Sequence, residues 1–233
     1  MNFNKICVYD WETDGINPNS CNPVQLAAVI IDPRKLEFVV GAEFNSDMRP
    51  IDIDDADYLK RNQSTIEWHS MIQKCSVDEV LERWKAAPDQ ESVWRKFVQW
   101  LSQYHTKQAR QTKYSAPIRA GYNIEDFDDT ISKRLALQYG DVEKDGTMKI
   151  FHPRDRIDML RHVWWWFEDQ KEPANYKMDT MRKVLGLSEE NAHDALKDVY
   201  DEGEMLIKLL KTQRWLTSRL VSEGKIGKKS KKK

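Results

Sequence analysis

Asp10 and Glu12 stand two residues apart at the end of the apolar stretch Lys5-Ile6-Cys7-Val8-Tyr9. In an extended strand, such residues point to one face. Two carboxylates on one face of a core strand are costly unless paired or bound to a metal. They cost little if the strand has already ended and both are solvated. A second acidic group, Glu125, Asp126, Asp128 and Asp129, follows Gly121-Tyr122-Asn123 and opens a predicted helix. Ordinary capping and the helix dipole would also place acids there. In a third group, His193 lies just ahead of a predicted helix and Asp198 about one turn inside it. Singly, the three groups read as a solvated strand end, an N-cap and a surface histidine. Together they match what metal-dependent phosphodiester cleavage requires. Two hard divalent cations about 3.5–4 Å apart need several carboxylates, clamp the attacking and leaving oxygens, and lower the pKa of water. A histidine of near-neutral pKa can then take the proton of the attacking water.

These residues carry a family resemblance. Tyr9-Asp10-Trp11-Glu12-Thr13-Asp14-Gly15 resembles the first motif of the DEDDh branch of the RNase T/DnaQ-like 3′–5′ exonucleases, an aromatic or apolar residue followed by D-x-E-T-x-G. Gly121-Tyr122-Asn123 leading to Phe127-Asp128 resembles the second, in the style of exonuclease I-type members. His193-Asp194-Ala195-Leu196-Lys197-Asp198 resembles the third, H-x-A-x-x-D. Arg156-Ile157-Asp158-Met159-Leu160 is similar to the family's intermediate I-D-T-L segment, and Ser64-Thr65-Ile66-Glu67-Trp68 to a segment of phage-encoded members. The resemblance runs over residues 5–210.

It implies an α/β fold, a ribonuclease H-like mixed sheet flanked by helices in one domain. It implies two Mg²⁺ or Mn²⁺ ions held by Asp10, Glu12, Asp128 and Asp198, with His193 as general base. The second motif is crowded: Asp128 follows Phe127 as the family's metal ligand follows an aromatic, and Asp129 is the alternative. Thr13, Asp14 and Asn123 are expected to touch substrate, although a simple turn explains Thr13 and Asp14 equally well. The implied activity is 3′–5′ exonucleolytic release of nucleoside 5′-monophosphates. Single-stranded ends are favoured as substrate, because terminal bases must be splayed to reach a buried site. DNA is the first expectation. RNA trimming and a non-catalytic nucleic-acid-binding module are the alternatives.

The elements that must position these residues are legible as patterns. Strands are predicted over residues 5–9, 24–31, 36–44 and 117–122, with Asp32-Pro33 as a turn. Helices are predicted over residues 65–71, 77–84, 92–103, 129–139, 156–167, 179–185 and 196–211, with Gly186 closing the sixth. Residues 1–212 are expected to form the exonuclease domain and residues 213–233 an extension. Of Trp164, Trp165 and Trp166, Trp164 falls on the predicted core stripe with Leu160 and Phe167, which leaves Trp165 or Trp166 for an exposed stacking platform. Trp68, Trp84, Trp94 and Trp100 are expected to pack helices.

Composition narrows the class. The 233 residues carry a formal net charge of −1, and 40% are apolar, a globular proportion. Six lysines lie within residues 225–233, so setting them aside takes the remaining chain from −1 to −7. An acidic body with a basic end points to a polyanionic partner, and the tail is a candidate tether for nucleic acid. Three cysteines without CxxC spacing exclude a disulfide framework and a cysteine-rich zinc site. No apolar run reaches membrane length, and the first residues lack a signal-peptide pattern. The expected setting is cytoplasmic, a host cytoplasm if the chain is phage-encoded.

Overall fold

The computed structural model describes residues 4–106, 112–187 and 194–226. Strands β1 (Ile6–Thr13), β2 (Pro23–Asp32) and β3 (Glu37–Asp47) form an antiparallel meander. Three helices follow, α1 (Tyr58–Gln73), α2 (Val77–Ala86) and α3 (Gln90–Ser102). Then come β4 (Ile118–Gly121), α4 (Asp128–Tyr139), β5 (Arg156–Asp158), α5 (Met159–Phe167), α6 (Met178–Leu185) and α7 (Ala195–Ser222). The sheet order is β3-β2-β1-β4-β5, with β4 parallel to both β1 and β5. This is the expected single-domain, ribonuclease H-like α/β arrangement. Among the described residues, no helix is long and apolar enough to cross a membrane.

Alternation along the central strand sorts the side chains into two cores. Cys7, Tyr9 and Trp11 join Leu26, Ala28 and Ile30 of β2 beneath Trp94 and Phe97 of α3 and Ile131 and Leu135 of α4. Ile6 and Val8 face the other way, with Ala27, Val29 and Ile31, beneath Val163, Met181, Val199 and Leu206 of α5, α6 and α7. A strand covered on both faces reads as a continuous apolar run, which is why residues 24–31 show no alternation. A third cluster, Val24, Ile53, Tyr58, Ile66, Val80 and Trp84, seats α1 and α2.

Two glycines permit close approaches that the site depends on. A Cβ on Gly203 of α7 would come within 2.4 Å of the Phe38 ring, so glycine lets the helix lie tight against β3. A Cβ on Gly121 would meet Ile124 at 2.2 Å and the Tyr9 carbonyl oxygen at 3.1 Å, so glycine lets the loop after β4 fold back over β1.

The structure revises several element expectations. Residues 156–158 are an edge strand, and the helix begins only at Met159. That new start moves the buried stripe to Met159 and Val163, and Trp164 is 44% exposed rather than in the core. Helix α1 begins at Tyr58, seven residues before the expected start at 65, and α7 continues to Ser222 rather than 211. Trp84 and Trp94 are fully buried, as expected for helix packing, whereas Trp68 is 37% exposed.

Candidate active site

The alternation that buries Ile6 and Val8 against α7 carries on along β1, so Asp10 and Glu12 project toward the same helix. Asp198 lies in the first turn of α7, whose start Asp194 caps by accepting the Lys197 N–H at 3.0 Å. One carboxylate oxygen from each of Asp10, Glu12 and Asp198 lies within 4.8 Å of the others. Beyond Glu12 the β1–β2 register shifts at Glu12/Thr13, an irregularity that ends regular pairing beside the acids.

Asp128 comes from the opposite layer. It opens α4, is 4% exposed, and accepts the Trp11 N–H at 3.0 Å. It stands outside the close trio, but its charge interacts with that of Asp10. Asp129 is engaged elsewhere: Tyr9 donates its hydroxyl to it at 2.7 Å, and Arg119 Nε donates at 2.8 Å. Of the two neighbours, Asp128 feels the charge of Asp10 from outside the trio, and Asp129 ties α4 to β1 and β4.

Electrostatics set these groups apart. Burial, reinforced by Asp198, pushes the Asp10 carboxyl up to about 7. Burial and the Asp10 charge raise Glu12 well above the usual range, and the same two causes raise Asp128. Like charges removed from water favour neutral forms unless a cation joins them. The donor set is entirely carboxylate oxygen, which suits a hard divalent ion such as Mg²⁺ or Mn²⁺. Asp10, Glu12 and Asp198 are the residues placed to hold one.

Two charged residues in this region were not singled out by the motifs. Arg182 of α6 is 1% exposed and donates to Asp198 at 2.5 Å, Asp201 at 2.9 Å and Asp179 at 2.7 Å. Its planar fork fixes the orientation of Asp198. Lys197 also pairs with Asp201. Glu202, one turn beyond Asp198, is buried, and its carboxyl is raised by burial and by the charges of Asp10, Asp128 and Asp198. The run Asp201-Glu202 in an otherwise amphipathic helix was a signal for both, because acids at core-facing positions need partners.

The expected substrate-contacting residues have mixed placements. Thr13 is buried and donates to the Gly15 carbonyl at 2.7 Å. Asp14 is buried and holds the turn together, accepting from the Asn22 backbone at 2.7 Å, the Asn22 side chain at 2.8 Å and the Tyr58 hydroxyl at 2.9 Å. Asn123 adopts a left-handed backbone, φ 63°, and donates its N–H to Asp158 at 3.0 Å. Asp158 also caps α5 through Leu160 N–H, which is the structural work of the I-D segment. His193 lies outside the described residues. So do the five lysines from 228 onward.

Beside Glu12 opens a cleft of about 420 Å³ lined by Trp11, Thr13, Ser64, Thr65, Trp68 and Phe127. Its walls are mainly apolar and aromatic, with Glu12 and the hydroxyl residues Thr13, Ser64 and Thr65 among them. Helix α1 supplies one wall, and His69 pins that helix to β1 through Nε2, 2.9 Å from the Thr13 carbonyl oxygen.

No family model and no curated protein matches the chain. Among solved structures it is similar to one of exonuclease I described as suggesting how processivity is achieved, with TM-score 0.65 and 19% identity over 94% of this chain and 44% of that one. It is similar to Escherichia coli exonuclease I in complex with a dT13 oligonucleotide, with TM-score 0.64 and 17% identity over 94% and 44% of the two chains. It is also similar to the zinc-ion-bound form of the E. coli exonuclease I complex with single-stranded DNA, with TM-score 0.65 and 18% identity over 94% and 43%. At these identities the likeness is one of fold. The chain spans less than half the length of the proteins it resembles, 43% to 44% in these three.

Proposed function

We propose that the chain is a divalent-metal-dependent 3′–5′ exonuclease of the DEDDh type, acting on single-stranded nucleic acid and on DNA first. The observation that carries this reading is the convergence of Asp10, Glu12 and Asp198, drawn from a strand and a distant helix, with oxygens within 4.8 Å. Unrelated surface acids have no reason to converge from both ends of a chain at considerable electrostatic cost. The reading is supported by the fold likeness to exonuclease I, solved with a dT13 oligonucleotide and in a zinc-bound form.

Each residue has a part. Asp10, Glu12 and Asp198 hold the cations, Mg²⁺ or Mn²⁺ and two in number, and Asp128 completes the set from α4. The cations supply positive charge to the phosphate oxygens and lower the pKa of water. Arg182 keeps Asp198 turned toward the other acids. His193, by the third-motif resemblance, takes the proton from the attacking water. The cleft beside Glu12 receives the terminal nucleotide, with Trp68 and Phe127 offering aromatic surface to a base and Thr13 in its wall. Asn123 and Asp14 shape the loops around it. Residues 1–212 form the nuclease domain, and residues 213–233 extend from it.

The test is a side-by-side digestion of end-labelled single-stranded DNA, duplex DNA and RNA with Mg²⁺, Mn²⁺ or EDTA. The expected result is stepwise shortening from the 3′ end of single-stranded DNA, release of 5′-monophosphates, and silence in EDTA. Asp10→Asn is expected to abolish cleavage while the chain stays folded, melting in EDTA no lower than the parent. Turnover by Asp10→Asn near that of the parent chain sinks the reading. Faster digestion of RNA than DNA moves the substrate to RNA trimming, and binding without cleavage on every substrate leaves a nucleic-acid-binding module.

A further inference from the structure

Glu202 lies one turn beyond Asp198 on α7, and residues four apart share a helix face. It is 5% exposed, and its Oε2 is buried with no hydrogen-bond partner. That oxygen would stand 3.4 Å from a Cβ built on Gly121, whose Cβ would also be 3.1 Å from the Tyr9 carbonyl oxygen. Glu202 Oε2 therefore sits in the seam between β1 and β4, next to the backbone that carries Asp10. The charges of Asp10, Asp128 and Asp198 all reach it, and Arg182 opposes them.

We propose that Glu202 is a fifth carboxylate of the cation-holding set, standing outside the close group of Asp10, Glu12 and Asp198 with one oxygen kept for the hydration shell of a divalent ion. The inference rests on the metal-dependent reading of the same site. A buried acid that only filled space would be replaced with profit by an apolar side chain, because an unsatisfied buried oxygen is destabilising and a like charge beside three others more so. A cation removes both penalties at once. The resemblance that identified Asp10, Glu12, Asp128, Asp198 and His193 gives no role to this position. The geometry assigns it one because α7 lies close enough to the sheet, through Gly203, to bring a second turn of acids to the seam.

The experiment uses the full chain stripped with EDTA, with Mn²⁺ as the probe. Calorimetric titration and melting curves with and without Mn²⁺ are compared for the parent, Glu202→Gln and Glu202→Asp. Glu202→Gln is expected to melt at or above the parent without metal, since a like charge has gone. It is expected to bind Mn²⁺ about 10–100-fold more weakly, the usual cost of losing a supporting group at a metal site. Its Mn²⁺-induced rise in melting temperature shrinks accordingly. Glu202→Asp, which keeps the charge, is expected to fall nearer the parent in affinity. Parent-like Mn²⁺ affinity in Glu202→Gln overturns the inference alone. Absence of Mn²⁺ binding in the parent overturns it together with the metal-dependent reading.

Discussion

Asp10 is ordinary in type and unusual in setting. Its carboxyl rises from an ordinary 3.8 to about 7, through burial first and the Asp198 charge next. In the metal-free folded protein it therefore holds a proton, between those two values, that the unfolded chain has already released. Stability from this group is fully present below about pH 4 and is lost as the pH climbs toward 7, because the folded state binds more protons across that window. Glu12 and Asp128 shift in the same direction and add to the slope. His69, held neutral by burial, works the other way as pH falls, but does so with or without metal. The melting temperature in EDTA is thus expected to drop between about pH 4 and 7 relative to a series in saturating Mg²⁺, since a cation favours the ionised acids. Melting curves at fixed ionic strength check this. Parallel EDTA and Mg²⁺ series would show that the acids do not hold the ion.

At the scale of elements, the site depends on phase. One strand sends Tyr9 and Trp11 into one core and Asp10 and Glu12 toward α7, so a slip of one residue would exchange acids for aromatics. Helix α1 adds the wall that carries Trp68, anchored by His69 to Thr13 and by Tyr58 to Asp14. If Trp68 stacks on a terminal base, Trp68→Ala is expected to weaken substrate capture by about 1–3 kcal/mol, the usual worth of base–aromatic stacking. The loss should be in KM, with kcat retained, because Trp68 holds no reacting group. Steady-state kinetics on single-stranded DNA read the split, and an unchanged KM removes Trp68 from the substrate path. Much of this framework was legible in sequence. The β1 acids, the Gly121 turn, the acidic start of α4 and the Asp198 helix all lie where their patterns place them. One strand, the start of one helix and the setting of one tryptophan differ from their patterns for physical reasons. A three-residue edge strand, β5, is too short to display alternation, so its residues read as part of the helix that follows. Helix α1 buries only Tyr58, Ile66 and His69 and so shows little periodicity. A helix counted from Arg156 puts Trp164 on the core stripe, whereas α5, starting at Met159, leaves it 44% exposed. Arg182 and Glu202 show only half of their meaning in sequence: the acids Asp201-Glu202 at core-facing positions of α7 call for partners, but which elements supply them does not follow from spacing along one helix.

Across the whole molecule, opposed charges have to be reconciled with a polyanionic substrate. The body without its last nine residues carries −7, and Asp10, Glu12 and Asp198 gather at the proposed catalytic edge. Such a body repels nucleic acid until cations neutralise that edge, and the repulsion slows encounter most at low ionic strength. The compensating charge is at the far end of the sequence, where α7 runs on to Ser222 and Lys225 follows. Of the six terminal lysines, those from 228 onward lie outside the described residues. Their proposed part is to capture the strand without reading its sequence, because lysines that neutralise phosphates act through release of counterions. A chain truncated after Gly224 is therefore expected to bind single-stranded DNA more weakly at low salt, and to lose its dependence on salt by about 0.7 in log–log slope for each phosphate contact removed. Turnover of already bound substrate should not change, since no residue of the acid cluster is touched. Binding isotherms over a salt series, paired with single-turnover rates, separate the two. Identical slopes for the full and truncated chains would leave the tail without a role in capture, and would place the burden of attracting the strand on the cations alone.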